Sequence, residues 1–495
     1  LMSRPFNEFS YSLSQAAELL NAEVINAQDI SFTGLTHVDS EVQVGDIFLA
    51  FPGAKVHGAQ FIDSAIARGA VAVLTDQAGA DQSSGLPTLI VKDVREAGAV
   101  LASSFYRSPI RDMQSIGITG TNGKTTITTL LYQLLSAVGR ETGLIGTVET
   151  RIGSESIKST RTTPEAADLQ ALAATMRERH MRHLVMEVSS HSLDLKRMVG
   201  SHFSMVGFTN LTQDHLDYHK DMQSYFAAKS KLFSHEYADL GFVNIDDKYG
   251  EKLFASNSIP MISLSRSDSK ATWHYTSITT THSGAEFTIR GKDGILIESR
   301  TPMHGGFNLD NLLMAVAIAY ECGIDPLEMA TLIPTLTGAP GRLEAVSLGQ
   351  DFTALVDYAH SPDAVINVLN AVREFTSGKV IAVLGCGGDR DASKRPLMGS
   401  ALVQGSDIAI FTSDNPRSEK PESILGQMVG AMSVDAPSSV IPDRAAAIAY
   451  AVSLAQTGDT VVVLGKGHES GQEVQGTITP FDDRLQLAHA IESKR

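Results

Sequence analysis

Cysteine is nearly missing from this chain: Cys322 and Cys386 are the only two in 495 residues. That is too few for a disulfide framework or a thiolate zinc site, and it suits a reducing compartment. No apolar run approaches the ~18 residues of a membrane-spanning helix. Basic residues are the minority, 40 Lys plus Arg against 56 Asp plus Glu, for a net charge of −16. Such a balance opposes bulk nucleic-acid binding, which is driven by release of phosphate counterions. Leu1-Met2-Ser3-Arg4-Pro5-Phe6 lacks the charged, apolar and small-residue order of a secretory signal. What is present, 43% hydrophobic and 19% charged residues, predicts a globular cytoplasmic protein, a monomer acting on small molecules, with no nucleic-acid or membrane partner. At ~100 to 200 residues per domain the length implies roughly three domains.

The first hundred residues alternate apolar runs, Ala70-Val71-Ala72-Val73-Leu74 and Thr88-Leu89-Ile90-Val91, with helix-like segments, as α/β units do. At Tyr106-Arg107-Ser108-Pro109 the helical pattern breaks, because proline disfavours a helical residue before it. A boundary is therefore expected near residue 108. Further buried strands are expected around Leu184–Val188, Met205–Phe208 and Phe242–Ile245, consistent with a parallel sheet. Gly338-Ala339-Pro340-Gly341 has hinge composition. Beyond it, strands at Val380–Leu384, Ile408–Phe411 and Val461–Leu464 again suggest a doubly wound domain. The expected division is 1–108, 109–338 and 339–495, all α/β.

The sharpest local signal is Gly117-Ile118-Thr119-Gly120-Thr121-Asn122-Gly123-Lys124-Thr125-Thr126, an apolar strand running into glycines, a lysine and two hydroxyls. Ile127, Leu130, Leu131, Leu134, Leu135 and Val138 follow at helical spacing up to Gly139. A helix N-terminus would thus aim its amides and dipole at the loop, as nucleotide phosphate loops require. Glycines let the backbone wrap the phosphates, Lys124 would neutralise them, and Thr125 would offer its hydroxyl to magnesium. The strict G-x-x-x-x-G-K-[ST] pattern is broken: Ile118 stands where a glycine belongs, and Gly120 sits inside the loop. The plainer alternative is a glycine-rich turn before a helix.

Thr119 to Thr126 resembles the ATP loop of the Mur ligases, amide-forming enzymes of bacterial peptidoglycan synthesis. Other segments match in order: Arg161-Thr162-Thr163-Pro164, Met186-Glu187-Val188-Ser189-Ser190-His191, Asp214-His215-Leu216-Asp217-Tyr218-His219, Asn308-Leu309-Asp310-Asn311, Gly341-Arg342-Leu343-Glu344, Asp357-Tyr358-Ala359-His360 and Gly465-Lys466-Gly467-His468-Glu469. Within the family, Asp414-Asn415-Pro416-Arg417 resembles the motif of the branch that adds meso-diaminopimelate to UDP-N-acetylmuramoyl-L-alanyl-D-glutamate. The resemblance implies a three-domain fold with a central P-loop-type sheet and a Rossmann-like C-terminal domain. It also implies ATP as co-substrate, Mg2+ as cofactor, and ligation through an acyl phosphate.

The resemblance distributes roles as follows. Gly120, Thr121, Asn122, Gly123, Lys124, Thr125 and Thr126 would hold ATP, with Asn308, Asn311, Arg342 and Asp357 contacting it or closing domains around it; alone, the last four also read as caps and turn residues. Lys124, Glu187, His215 and Lys229 would be catalytic, with Thr125, Glu187, His215 and a carbamylated Lys229 serving metal. Without the resemblance, Lys229 reads as a solvated helix lysine. Arg390, Asp414, Asn415, Pro416, Arg417, Gly465 and Glu469 would bind the diaminopimelate, since guanidinium groups take carboxylates in bidentate fashion and Glu469 can take an ammonium. Val38, Ser40, Thr162, Thr163, Ser189 and Arg197 would bind the UDP-muramoyl-peptide. In the uridine segment the chain departs from the family, with Glu41 where an arginine is usual and His57-Gly58 where Asp-Gly is usual.

The competing readings are an L-lysine-adding ligase of the same type, a folylpolyglutamate synthase-like ligase, a P-loop ATPase switch and a non-catalytic binding module. Gly385-Cys386-Gly387-Gly388-Asp389-Arg390 is no dinucleotide fingerprint, since Arg390 stands where G-x-G-x-x-G needs glycine.

Overall fold

A computed structural model of the chain describes residues 4–53, 56–82, 85–159, 161–212, 221–281 and 283–494. It falls into two compact units, residues 1–273 with 314–324, and residues 274–313 with 325–495.

The first unit begins with a five-stranded sheet in the order Glu23–Ile25, Thr88–Ile90, Ala72–Thr75, Asp46–Leu49, Gly34–Thr36. All its pairings are parallel except that of Glu23–Ile25. The helix Val94–Phe105 then ends and Pro109–Asp112 forms a short 3-10 turn, as the proline requires. Next comes a larger sheet in which Thr142–Ile145, His183–Glu187, Gln114–Thr119, Phe203–Phe208, Ala238–Asn244 and Met261–Ser265 lie side by side and parallel. Glu149–Ile152 and Glu155–Lys158 extend one edge as antiparallel strands. The two central strands are buried from Ser115 to Thr119 and from His183 to Glu187, with an apolar middle in each, Ile116 to Ile118 and Leu184 to Met186.

Helix Ala166–Glu178 is buried on two sides. Leu169, Leu172 and Met176 join the core of the larger sheet, while Ala167, Ala171 and Ala174 pack with Leu101, Phe105 and Leu35 of the first one. The alanine stripe lets the backbones approach closely, and each fully buried leucine contributes ~1.5–3 kcal/mol.

Trp273–Thr281, which belongs to the second unit from His274 on, forms an antiparallel meander with Gly284–Arg290 and Leu296–Thr301. The expectation of a parallel sheet did not include it, because alternation such as Ala285, Phe287 and Ile289 buried between the more exposed Glu286, Thr288 and Arg290 marks a one-sided strand. A six-stranded sheet follows, ordered Glu344–Ala345, Thr353–Asp357, Thr460–Leu464, Val380–Cys386, Ile408–Ser413, Ser439–Val440. Only Glu344–Ala345 runs antiparallel. In both large sheets the residues that follow the carboxyl ends of parallel strands carry several of the sequence motifs, among them Gly120–Thr126, Val188–His191, Asp414–Arg417 and Gly465–Glu469, the usual ligand edge of an open α/β sheet.

Candidate active site

The phosphate loop leaves strand Gln114–Thr119 and enters helix Lys124–Ala137, which buries Ile127, Leu130, Leu131, Leu134 and Leu135. Gly120 has φ +144, and a Cβ there would lie 1.8 Å from Thr209 Oγ1. Glycine is obligatory at that point, which explains its shift inside the loop. The Thr209–Asn210 segment braces the turn: Thr209 Oγ1 donates to Asn122 O at 2.6 Å, Asn210 Oδ1 accepts from Asn122 N at 3.0 Å, and Thr121 N donates to Asn210 O at 2.9 Å. Lys124 Nζ folds back onto the carbonyls of Gly120 and Thr121, at 2.9 and 3.0 Å.

Lys229 is not a solvated helix lysine. It is 1% exposed, lies over the Tyr225 ring, and donates from Nζ to Gly120 O at 2.8 Å, the carbonyl that Lys124 also uses. Tyr225 OH in turn pairs with Thr121 Oγ1 at 3.1 Å. Tyr225 was absent from the expected set, although its position one turn before Lys229 puts both on one helix face.

Glu187 ends its strand buried, each oxygen accepting one bond from Thr147: from N at 2.8 Å and from Oγ1 at 2.9 Å. Thr147 Oγ1 also lies 3.1 Å from Thr162 Oγ1. Thr163 Oγ1 donates to Glu187 O at 2.9 Å and meets Ser189 Oγ at 3.5 Å, and Arg197 Nη1 donates to Thr163 O at 3.1 Å. Thr162, Thr163, Glu187, Ser189 and Arg197 thus converge. His215 lies outside the described residues, as does its whole Asp214–His219 motif.

Sequence reasoning missed the anchor of this cluster. Glu165, 6% exposed, receives Arg161 at 2.6 Å, Arg197 at 2.9 Å and Arg95 at 3.1 Å. Burial would raise its carboxyl, but Arg197 and Arg95, with His37 and Arg161, outweigh that and hold it low. Arg197 Nε is buried with no hydrogen-bond partner among the described residues, so one guanidinium donor is unspent. Nearby, burial lowers His37 to about 4. Burial, then Glu41 and Glu165, raise Asp168 to about 7. Val38 and exposed Ser40 follow strand Gly34–Thr36, with Val38 N held by Thr36 Oγ1 at 3.1 Å. His57 does what a capping aspartate would: its Nδ1 accepts from Ala59 N at 3.0 Å while Nε2 meets Asp76 at 3.0 Å.

In the second unit, Asn308 Nδ2 donates to His304 O at 2.9 Å, and Asn311 Nδ2 lies 3.4 Å from Asn308 Oδ1. Asp357 is buried and accepts from Leu343 N and Ala359 N, both at 2.8 Å. Burial drives its carboxyl upward, with Arg342 and these amides pulling the other way. The Arg342 guanidinium lies 5.2 Å over the Tyr358 ring. Arg390 is exposed. A Cβ at Gly387 would lie 3.0 Å from Arg417 Nη1 and 3.7 Å from Arg390 Cγ, which makes the two arginines neighbours. Arg417 Nη1 donates to Gly388 O at 2.6 Å, and its backbone, at φ +52, is clamped by Glu473 O and Gln475 N. Asn415 Nδ2 donates to Glu469 Oε2 at 3.0 Å. Lys466, 0% exposed, lies 3.1 Å from Asn415 Oδ1, 3.2 Å from Glu469 and 3.5 Å from Asp414. Burial raises the Asp414 carboxyl against the pull of Arg444 and Lys466. Pro416 packs on Gly388, its carbonyl 1.8 Å from where a Cβ would be. Gly465, at φ +111, holds a backbone conformation that residues with a side chain rarely adopt.

Three family models match the chain: "Mur ligase family, catalytic domain" over residues 32–106, "Mur ligase middle domain" over 118–319, and "Mur ligase, glutamate ligase domain" over 341–467. A UDP-N-acetylmuramoyl-L-alanyl-D-glutamate--2,6-diaminopimelate ligase of Streptomyces coelicolor is 48% identical over 491 residues, 97% of each chain. The chain belongs to the Mur ligase family. A ligase of the same name from Synechococcus elongatus is 43% identical over 95% of this chain and 96% of its own. A solved structure of a ligase so named superposes with a TM-score of 0.73 at 31% identity, covering 96% of this chain and 98% of that one. The Mur ligase fold accounts for the three α/β domains expected from the sequence. Most of the motifs quoted for that family follow strand ends or helix starts here; Gly341–Glu344 instead leads into strand Glu344–Ala345, and the Asp214–His219 segment is not described. Among the described residues no helix is long and apolar enough to cross a membrane.

Proposed function

We propose that this Mur ligase joins meso-diaminopimelate to UDP-N-acetylmuramoyl-L-alanyl-D-glutamate at the expense of ATP, in peptidoglycan precursor synthesis. The observation that carries the reading is the near-full-length likeness to ligases named for those two substrates. Arg417 beside Arg390 supports it from the geometry. The proposed domains are 1–108 for the UDP-sugar, 109–338 for ATP and 339–495 for the amino acid. The matched segments 32–106, 118–319 and 341–467 fall inside them.

A D-glutamate side-carboxylate oxygen attacks the γ-phosphorus of ATP and the bond to the bridging oxygen breaks, leaving ADP and an acyl phosphate. The amine of diaminopimelate then attacks the acyl carbon, phosphate departs, and the ammonium proton is lost to solvent. Phosphoryl transfer needs positioning and charge neutralisation more than covalent help. Gly120 to Thr126 wrap the phosphates, and Lys124, already curled over the loop, neutralises them. Arg197, held by Glu165, serves an anionic part of the UDP-muramoyl-peptide, alongside Thr162, Thr163 and Ser189.

The donors around Glu187 fit magnesium, a hard cation that takes few protein oxygens and keeps several waters. Each Glu187 oxygen makes one hydrogen bond and retains lone pairs. Glu187 and the Thr125 hydroxyl would hold the ion, which supplies charge neutralisation at the phosphates. Lys229 Nζ shares the Gly120 carbonyl with Lys124 Nζ and is buried beside the phosphate loop. Carbamylation of Lys229, in which the ammonium first loses a proton and the free amine nitrogen then bonds the carbon of CO2 with release of a second proton, would replace the lysine cation with an oxygen donor for the metal. We place the enzyme in the cytoplasm as a monomer, where both buried cysteines stay reduced.

Arg417→Ala tests the substrate assignment. Loss of a bidentate charged contact should raise KM for meso-diaminopimelate about 10-fold or more, with KM for ATP unchanged. Unchanged KM for meso-diaminopimelate would remove Arg417 from the site, and preference of the parent enzyme for L-lysine would overturn the substrate.

A further inference from the structure

Beneath the loops assigned above to the amino acid lies an ion pair that no substrate can reach. Arg444 opens helix Arg444–Leu454, Asp483 opens helix Asp483–Lys494, and both side chains are 0% exposed. The guanidinium grips the carboxylate with two bonds, Nε to Oδ1 at 2.7 Å and Nη2 to Oδ2 at 2.6 Å. Its remaining reach goes to two backbone carbonyls: Nη1 donates to Ser413 O at 3.0 Å and Nη2 to Leu464 O at 2.9 Å.

Those two carbonyls are telling. Ser413 and Leu464 are the last residues of strands Ile408–Ser413 and Thr460–Leu464, which flank Val380–Cys386 on its two sides. The next residue of each begins a loop, Asp414 to Arg417 in one case and Gly465 to Glu469 in the other. A fully buried ion pair is an expensive way to fill space, since apolar residues of similar volume often do so at equal or lower free energy. What the guanidinium adds is a rigid planar fork, which holds several acceptors at set positions where a lysine ammonium could not. Above it, Lys466 ties Asn415, Glu469 and Asp414 together. A shift of either strand end would therefore be passed to the groups that face the amino acid.

We propose that the Arg444–Asp483 pair is a positioning device that sets the spacing of the two amino-acid-binding loops, and so the fit for the acceptor amino acid. The proposal rests on the reading of those loops given above. Neither residue touches substrate.

The test is steady-state kinetics of the full-length double variant R444M/D483L, which removes both charges together and keeps the volume apolar. A folded variant, with a melting temperature close to that of the parent, is expected to show KM for meso-diaminopimelate raised at least 10-fold. KM for ATP and for the UDP-muramoyl-dipeptide should stay within 2-fold. A role in packing alone would lower the melting temperature or the active fraction, and with it kcat, but leave every KM in place; that result overturns the proposal. Should the double variant fail to fold, Asp483→Asn keeps the shape and one acceptor. It is expected to raise the same KM at least 3-fold, and no rise there also overturns the proposal. Arg417→Ala measured alongside separates the two possible failures. If it too leaves KM for meso-diaminopimelate unchanged, the loops are not the amino-acid site and the positioning role falls with them. If it raises that KM while the pair variants do not, only the positioning role is refuted.

Discussion

Glu165→Gln isolates the electrostatics of the three-arginine cluster. Arg161 is 50% exposed and Arg95 28%, so solvent screens both and each pair contributes little. Arg197 is 13% exposed against a carboxylate that is 6% exposed. Removing one partner of a buried pair costs ~3–5 kcal/mol. Because Arg197 keeps Thr163 O, the lower end applies, about 3 kcal/mol. In a large domain this lowers Tm by roughly 6 °C. The assay is thermal unfolding of parent and variant as a function of pH. The Glu165 carboxyl is depressed below its ordinary 4.5, so its stabilisation is complete above that value and is lost as pH falls through the folded-state pKa. The two proteins should differ most at neutral pH and converge in acid. A difference equal at all pH values, or none at pH 7, would refute the assignment of charge pairing to this cluster.

Other outcomes follow from the same geometry. Asp168→Asn should stabilise the protein above pH 7 by at most about 4 kcal/mol and do nothing near pH 4, because an acid raised from 3.8 to about 7 destabilises the fold increasingly as pH rises between those values; parallel melting curves from pH 5 to 8 would contradict this. Gly120→Ala should raise KM for ATP at least 10-fold, and adding Thr209→Ala should recover only part, since the clash at 1.8 Å is removed but the φ of +144 remains unfavourable. Lys229→Ala should abolish ligation while short carboxylic acids restore some of it; full activity without them would remove Lys229 from catalysis.

Much of the fold was legible because parallel strands buried on both faces print as continuous apolar runs, as at Leu184 to Met186 and Val461 to Leu464. The phosphate loop was legible for a similar local reason, a strand, a glycine turn and an amphipathic helix in succession. The meander at Trp273–Thr281 and beyond was not, since its one-sided strands interleave polar residues and leave no continuous apolar run of the kind that marks the parallel strands. Lys229 looked like a surface lysine because burial is set by Tyr225 and by the loop that begins more than a hundred residues earlier. Arg444 and Asp483 gave no signal at all: nothing in either local sequence marks a pair that meets only after two helices pack on the same sheet. His57 stood as a departure from the family pattern, yet its imidazole caps Ala59 N as a carboxylate would.

The most direct measurement is phosphate release from ATP and magnesium with UDP-N-acetylmuramoyl-L-alanyl-D-glutamate, comparing meso-diaminopimelate, L-lysine and no amino acid. The account predicts release that depends on both the UDP-muramoyl-dipeptide and meso-diaminopimelate, with L-lysine close to the blank. Release supported by L-lysine instead would keep the family and overturn the role of Arg417, and release indifferent to every acceptor would contradict the ligase reading altogether.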